Sequence, residues 1–587
     1  MTYGEGTVDT PMRIDFDVPI EVDDGIVLRA DVYAPTEPGR YPVLLSYGPY
    51  GKGLAFQDGY RTQWEYMISE HPEVAEGTSN RYQNWEVVDP EKWVPHGYVC
   101  VRVDSRGAGR SPGFLDVWSR REAEDLYACI EWAAQQEWSN GKVGLAGISY
   151  YAMNQYQVAA LQPPHLAAIC PWEGAADWYR DFARHGGILS DFPADWYPRQ
   201  VEKVQHGVGE RGYRSEITGE LVAGPDTVDP EVLARRRADL AHDIKSRPLI
   251  DDWYEERNPD WKLVEVPMLT AGNWGGHGLH LRGNIEAFVN ARSEKKWLEV
   301  HGGAHWVDFY TDRGVELQRA FFDHFLKGED NGWDQRPRVQ LRVRHADGTF
   351  VDRFENEWPL ARTEWTHLFL TSNRTLSRAP EEQPAALEYE TMGDGLRLIT
   401  DPFEEATEIT GPMAAKLFVS SETTDLDLFL VVHLFDPAGD EVTFMGALDP
   451  NTPLAQGWLR VSHRELDQEQ SLPYRPYHTH RRIDPLIPGE VYEVDVEIWP
   501  TCIVVPAGYR IGLSVLGRDY RYDGELSDFA KNFHYANRGV GPFTHTDPDD
   551  RPPDIFDTRG AVHVGGDTNS YLLIPVIPVP REEGDGN

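Results

Sequence analysis

Six short apolar runs recur between residues 41 and 303: "YPVLLSYG" (41–48), "GYVCVRVDSRG" (97–107), "KVGLAGIS" (142–149), "HLAAICPWEG" (165–174), "VPMLTAGN" (266–273) and "KKWLEVHGG" (295–303). Helix-forming stretches such as "REAEDLYACIEWAAQQ" (121–136) and "YYAMNQYQVAALQ" (150–162) separate most of them. Strands that are apolar on both faces need a layer on each side, and helices between successive strands supply it. The expected class is therefore α/β, with a doubly wound parallel sheet. Ahead of these runs, residues 13–33 alternate in polarity around an Asp-Asp-Gly turn and read as an antiparallel hairpin at the sheet edge.

The pattern breaks twice. From 175 to 262 the strand signal disappears into aromatic, charged and helix-forming sequence such as "DPEVLARRRADLAHDIKSRPLIDDWYEERNP", as expected of a helical cap over the strand ends. From about 332, short apolar runs follow one another with turns and no helices ("RVQLRVRHADGTF", "AAKLFVSS", "LDLFLVVHLFD", "VYEVDVEIW", "RIGLSVLG"), the texture of an all-β sandwich. A chain of 587 residues exceeds what one core sustains. The division expected is 1–174 and 263–331 for the two parts of the α/β domain, 175–262 for the cap and 332–587 for the sandwich.

A net charge of −40 opposes nucleic acid and anionic membranes as partners. Cys100, Cys129, Cys170 and Cys502 are isolated in apolar or helix-like surroundings, and no basic, then apolar, leader stands at residues 1–20, so a reducing cytoplasm is expected. Nothing in these features specifies a homo-oligomer or excludes one.

Ser149 follows the run "KVGLAGI" and precedes a helix-forming stretch. Strand, tight turn and helix make the setting of a nucleophile elbow, in which small neighbours are needed and Gly147 stands two places before the serine. A serine capping the helix is the plain alternative. Tyr151 replaces the last glycine of the usual Gly-x-Ser-x-Gly, with small Ala152 after it.

The segments "LLSYGPYGK", "GYVCVRVDSRGAGRSPG", "EDLYACIEWAAQQEWSNGKVGLAGISYYAMNQYQVAA", "MLTAGNW", "ITGPMAAKLFVSS" and "VPAGYRIGLSV" resemble, in this order and over nearly the whole chain, the CocE/NonD hydrolase family of cocaine esterase, X-prolyl dipeptidyl peptidases, cephalosporin acylases and α-amino-acid ester hydrolases. The resemblance implies an α/β-hydrolase fold with an inserted cap and a C-terminal jelly roll. It implies a serine hydrolase for small-molecule esters or amides, with Ser149 as nucleophile and the Tyr150 N–H and Tyr50 phenol as oxyanion donors. Without it, Tyr50 reads as a loop aromatic packed under the cap.

In such a fold the base is a histidine after the last sheet strand. "WLEVHGGAHW" offers His301, still within the strand, and His305 after the Gly-Gly turn; His305 is the expected base, with a surface-loop histidine as the alternative. The pairs His277/His280 and His478/His480 lack a third ligand at useful spacing, so no metal and no cofactor are expected. In the family the triad aspartate follows the strand ending "LTAG". Here that loop reads "GNWGGHGLH" and holds no carboxylate before Glu286. Glu173, the first acid beyond the neighbouring strand, is the expected replacement, within roughly 2.6–3.2 Å of His305 Nδ1; the alternatives are a helix cap, a pair with Arg180, or support of His305 by Glu286 or by no residue. Asp104 and Arg106 read as a structural ion pair. Trp172, Trp178, Tyr179, Trp274 and Trp306, near strand ends or the cap entry, suggest an aromatic acyl pocket. Two other readings stay open: an X-prolyl dipeptidyl peptidase, and a non-catalytic binding or scaffold protein.

Overall fold

The computed structural model describes residues 11–525 and 538–578. Its first sheet contains β1 (Met12–Glu21), β2 (Val27–Pro35), β3 (Tyr41–Gly48), β4 (Val99–Asp104), β5 (Ser139–Ile148) and β6 (Leu166–Trp172). After a two-residue hairpin, β7 (Arg184–His185) with β8 (Ile188–Leu189), the sheet continues with β9 (Met268–Asn273), β10 (Lys296–His301), β11 (Val339–Arg344) and β12 (Phe350–Glu355). The order is β1-β2-β4-β3-β5-β6-β9-β10-β11-β12, parallel from β4 to β11 and antiparallel at both edges. The edge hairpin and the six expected runs are all strands here.

The strand order reverses between β3 and β5, which leave the chain on opposite sides of one crevice. In open α/β sheets such a switch point, at the carboxyl ends of the strands, is where ligands bind. Side chains on the two faces form separate cores. The helix Tyr150–Ala159 is buried over all ten residues, so it is apolar or internally bonded around its whole circumference.

Two expectations change. The stretch "RVQLRVRHADGTF" supplies β11 and β12, which pair onto β10; the first sheet therefore runs past the boundary expected near 332. Segment 175–262 has a helix-forming composition but is helical only in pieces, the longest an unbroken run of helical turns over Phe192–Val204, because aspartate caps and prolines restart the chain elsewhere, as at Asp229-Pro230, Asp239 and Asp251.

Among the described residues, twelve strands between Glu364 and Ile577 form a second sheet that closes on itself: Thr407–Ser421 pairs with both Tyr492–Val505 and Tyr571–Ile577. This C-terminal β-barrel has its own aliphatic core. A further cluster, in which Leu298 and Val300 of β10 meet Phe429, Val431 and Trp458 of the barrel, joins the two units. Asp104 and Arg106 do not pair: Arg106 binds Asp125 (2.7 Å) and Asp24 (2.8 Å), whereas Asp104 accepts the backbone N–H of Lys52 and Arg110.

Candidate active site

Five loops converge at the carboxyl ends of neighbouring strands. Tyr50 follows β3, Ser149 follows β5, Glu173 follows β6, His280 lies in the loop after β9, and His305 follows β10. Ser149 is half-buried and sits at φ +54°, ψ −108°, a conformation that costs about 1–3 kcal/mol for a non-glycine residue. The turn is tight enough that a Cβ on Gly147 would lie 2.3 Å from Tyr151 Cβ, and one on Gly174 would lie 2.8 Å from Ala152 Cβ. Small residues at 147, 152 and 174 thus follow from the approach of helix to strand. Glu173 (φ +47°) and Glu86 (φ +64°) share the positive φ of the serine.

The imidazole that meets the nucleophile is His280, with Nε2 3.2 Å from Ser149 Oγ. Its ring stacks on His305 at 4.1 Å between centroids, and its Nδ1 has no hydrogen-bond partner among the described residues. Burial, reinforced by the nearby charge of His305, holds the His280 pKa well below the usual imidazole value, so the ring is the neutral form that can accept a proton.

His305 does not hydrogen-bond Ser149, which corrects the expected base. Its Nδ1 lies 2.9 Å from Glu173 Oε2, inside the separation expected for that pair, but its Nε2 lies 3.0 Å from Glu86 Oε1. Burial disfavours charge on the ring, yet Glu173 and Glu86 outweigh it and raise the pKa to about 9. An imidazolium that donates both N–H groups to carboxylates has no lone pair for a serine proton.

Glu173 is fully buried and holds three groups: His305, His301 Nε2 at 2.7 Å and Asn273 Nδ2 at 3.3 Å. Burial pushes its carboxyl up, but the two histidines prevail and lower it. The loop that lacks the usual aspartate therefore serves Glu173 through Asn273, whose amide also donates to Gly303 O at 2.8 Å. Arg180 pairs instead with Asp177, which caps the turn Trp178–Ala183, and Glu286 pairs with Arg475.

Tyr50 is buried, and its phenol oxygen accepts the Trp196 indole N–H at 3.2 Å, leaving its own O–H to donate. Burial first, and then the charge of Glu86, raise its pKa far above the ordinary phenol value, so it keeps that proton. The Tyr150 phenol donates to Glu122 Oε2 at 2.5 Å, which anchors the first residue of the helix while its backbone N–H, as one of the orphan donors of a helix start, faces no helical acceptor.

The expected aromatic residues divide. Trp178 packs on Trp118, which stacks on Tyr150. Trp172 lies against His301, Trp306 donates to Gln63 O, and Tyr179 donates to Pro248 O. Trp274 turns away to Arg342 O and Trp358 at the barrel interface. The aromatic wall that runs from Tyr50 to His280 is formed by Trp196, Phe192 and Phe543, with successive ring centroids 5.0–6.4 Å apart. Phe543 comes from the connection between the barrel strands Arg510–Leu516 and Arg559–Val564, and the local sequence around it carries no sign of this role. His280 had one available signal: it stands in the loop where an acid is missing.

One ligand atom each from Glu173, His280 and His305 lies within 4.8 Å of the others, a spacing open to a small cation, and the same holds for Glu299, His301 and Asp308. In the second set Arg313 already bridges Glu299 and Asp308, at 2.6 Å each. In the first, the carboxylate and the His305 ring hydrogen-bond each other.

The sequence profile of X-Pro dipeptidyl-peptidase (S15 family) matches residues 24–307, and that of the X-Pro dipeptidyl-peptidase C-terminal non-catalytic domain matches 331–525. A CocE/NonD family hydrolase from Staphylococcus aureus is 32% identical, with 96% of this chain and 94% of that one covered at a TM-score of 0.81. Cocaine esterase from Rhodococcus is 24% identical over 97% of this chain and 100% of its own length. A putative serine esterase from Mycobacterium tuberculosis is 25% identical over 85% and 90%.

Proposed function

The chain belongs to the CocE/NonD family of serine hydrolases, and from that premise we propose that it cleaves small ester or amide substrates through an acyl-enzyme on Ser149. The observation that carries this reading is the strained Ser149 with its Oγ on the free-base nitrogen of His280. As Oγ bonds to the substrate carbonyl carbon, its proton passes to His280 Nε2. The carbonyl electron pair moves to oxygen, which the Tyr50 O–H and Tyr150 N–H receive. Collapse expels the leaving group, which takes the proton from His280, and water releases the acyl group by the same path.

The carboxylates of Glu86 and Glu173 flank the His305 imidazolium that stacks on the His280 ring and offset its repulsion of a proton there, in the place of the missing aspartate. Glu173 and His305 thus belong to the machinery as the charged support of His280. Trp196, Phe192 and Phe543 line the acyl side. We read 175–262 as a cap and the C-terminal barrel as a jelly roll; four buried free thiols fit a reducing cytoplasm.

The match to X-Pro dipeptidyl-peptidases favours a second reading, release of X-Pro dipeptides. That reaction must bind the substrate's α-ammonium; Glu173 spends both oxygens on His301, His305 and Asn273 and only Oε2 of Glu86 is left to receive it, so the esterase or acylase reading, which needs no such anion, is preferred. A fluorophosphonate probe should label Ser149, and a short-chain aryl ester should turn over faster than a Gly-Pro anilide. An unlabelled serine would leave the non-catalytic reading standing; the reverse substrate order would select the peptidase.

A further inference from the structure

The loop that carries His280 is held from outside the sheet. The carbonyl of Gly278, two residues before His280, lies 2.9 Å from His185 Nε2. His185 Nδ1 is 2.8 Å from His545 Nε2, and His545 Nδ1 is 2.7 Å from Asp519 Oδ1. Asp519 Oδ2 also accepts the His545 backbone N–H at 2.8 Å. Both rings are buried. Gly278 belongs to the loop after β9, His185 to β7, and Asp519 and His545 to the C-terminal unit.

Counting protons along this chain leaves two arrangements, each with one imidazolium between the Gly278 carbonyl and the Asp519 carboxylate. A carbonyl oxygen only accepts, so His185 Nε2 must donate to Gly278. A neutral His185 then accepts at Nδ1, so His545 must donate at Nε2. A carboxylate only accepts, so His545 must also donate at Nδ1. Burial and the neighbouring His545 lower the His185 pKa to about 3, which favours the arrangement with His185 neutral and both His545 N–H groups donating. Further contacts tie the same loop to the same unit. The Ala447 N–H donates to Gly275 O, and the Ala447 carbonyl accepts the His305 N–H, at 3.0 Å each. A Cβ on Gly278, at φ +94°, would lie 2.7 Å from the Phe543 ring, whose own centroid is 6.0 Å from that of His280.

We propose that Asp519, His545 and His185 are positioning residues for His280: the C-terminal unit holds the β9 loop, and with it the imidazole on Ser149, through a charged relay that ends on the Gly278 carbonyl. The proposal rests on the reading of His280 as proton acceptor. The charged and titratable groups around His545 are Asp519, His185 and Arg551, whose guanidinium donates to the His545 carbonyl at 2.7 Å and is paired with Asp427.

The test uses the full chain with Asp519→Asn and His545→Gln, measuring kcat and KM on an aryl ester, each divided by the concentration of sites titrated with a fluorophosphonate. The expected result is a fall in kcat per titrated site of about tenfold or more with KM little changed. A residue that only stabilises the fold would lower the number of titratable sites and the Tm but leave kcat per site in place, and that result overturns the proposal. Should His545→Gln not fold, Asp519→Asn, nearly isosteric, decides alone. His280→Ala separates the two levels: full activity in that variant sinks the reading of His280, whereas an inactive His280→Ala beside normal relay variants sinks only the relay.

Discussion

Ser149 Oγ stands 3.2 Å from His280 Nε2, while His305, stacked on the back of that ring, spends both nitrogens on Glu173 and Glu86. The histidine that follows the last parallel strand and the histidine that touches the nucleophile are thus different residues, and their separation yields distinct expectations for each.

Ser149→Ala should abolish acyl transfer and burst labelling while circular dichroism and Tm stay near those of the parent, since the elbow already accommodates a larger side chain. Turnover near the parent rate would refute the nucleophile.

His280→Ala should lower kcat by about 10²–10⁴, the usual worth of a positioned general base. His305→Gln should cost less in kcat and more in stability, because it leaves buried Glu86 without its cation and Glu173 with His301 alone. Steady-state kinetics and thermal melts on the two variants check the order; a larger kcat loss in His305→Gln returns the base to His305.

Tyr50→Phe keeps the ring, and the contacts with Tyr150, Tyr151 and Trp196 with it, but removes one O–H. A loss of about 10²–10³ in kcat is expected for one oxyanion donor, with KM nearly constant. An unchanged kcat would show that the phenol does not face the oxyanion.

Glu173→Gln should lower both kcat and Tm. The carboxylate neutralises His301 and His305 together, and removing one partner of a buried ion pair costs about 3–5 kcal/mol. Differential scanning calorimetry alongside kinetics distinguishes this from a purely catalytic effect, which would leave the Tm in place.

The stability of the fold should decline on the alkaline side. His305 is raised to about 9 and His301 to about 10, in each case against burial, by Glu173 with Glu86 for the first and by Glu299 with Glu173 for the second. A histidine raised in the folded state contributes stability that is complete below its unfolded value near 6.5 and is lost as pH rises through the folded value. Chemical denaturation midpoints should therefore fall between about pH 7 and pH 10, and less so in Glu173→Gln. A flat midpoint across that window would show that the two rings are neutral.

The strands, the elbow at Ser149 and the place of Glu173 were legible in the sequence because each depends on a local rule: two-sided apolar runs, small residues where helix crowds strand, and the first polar residue past a strand end. The residues around 339–355 were not assigned to the first sheet, since an isolated apolar run carries no record of which sheet edge it will join. Nor was His280, for which a loop histidine offers only a ring; what that ring meets is decided by groups 131 residues away at Ser149 and, through Gly278, at His185 and the C-terminal unit. Local spacing determined which residues stand at the carboxyl ends of the strands. Which of them share a proton was decided only when five loops and two units packed together, because hydrogen-bond partnership depends on ångström distances between side chains that no periodicity in the sequence encodes.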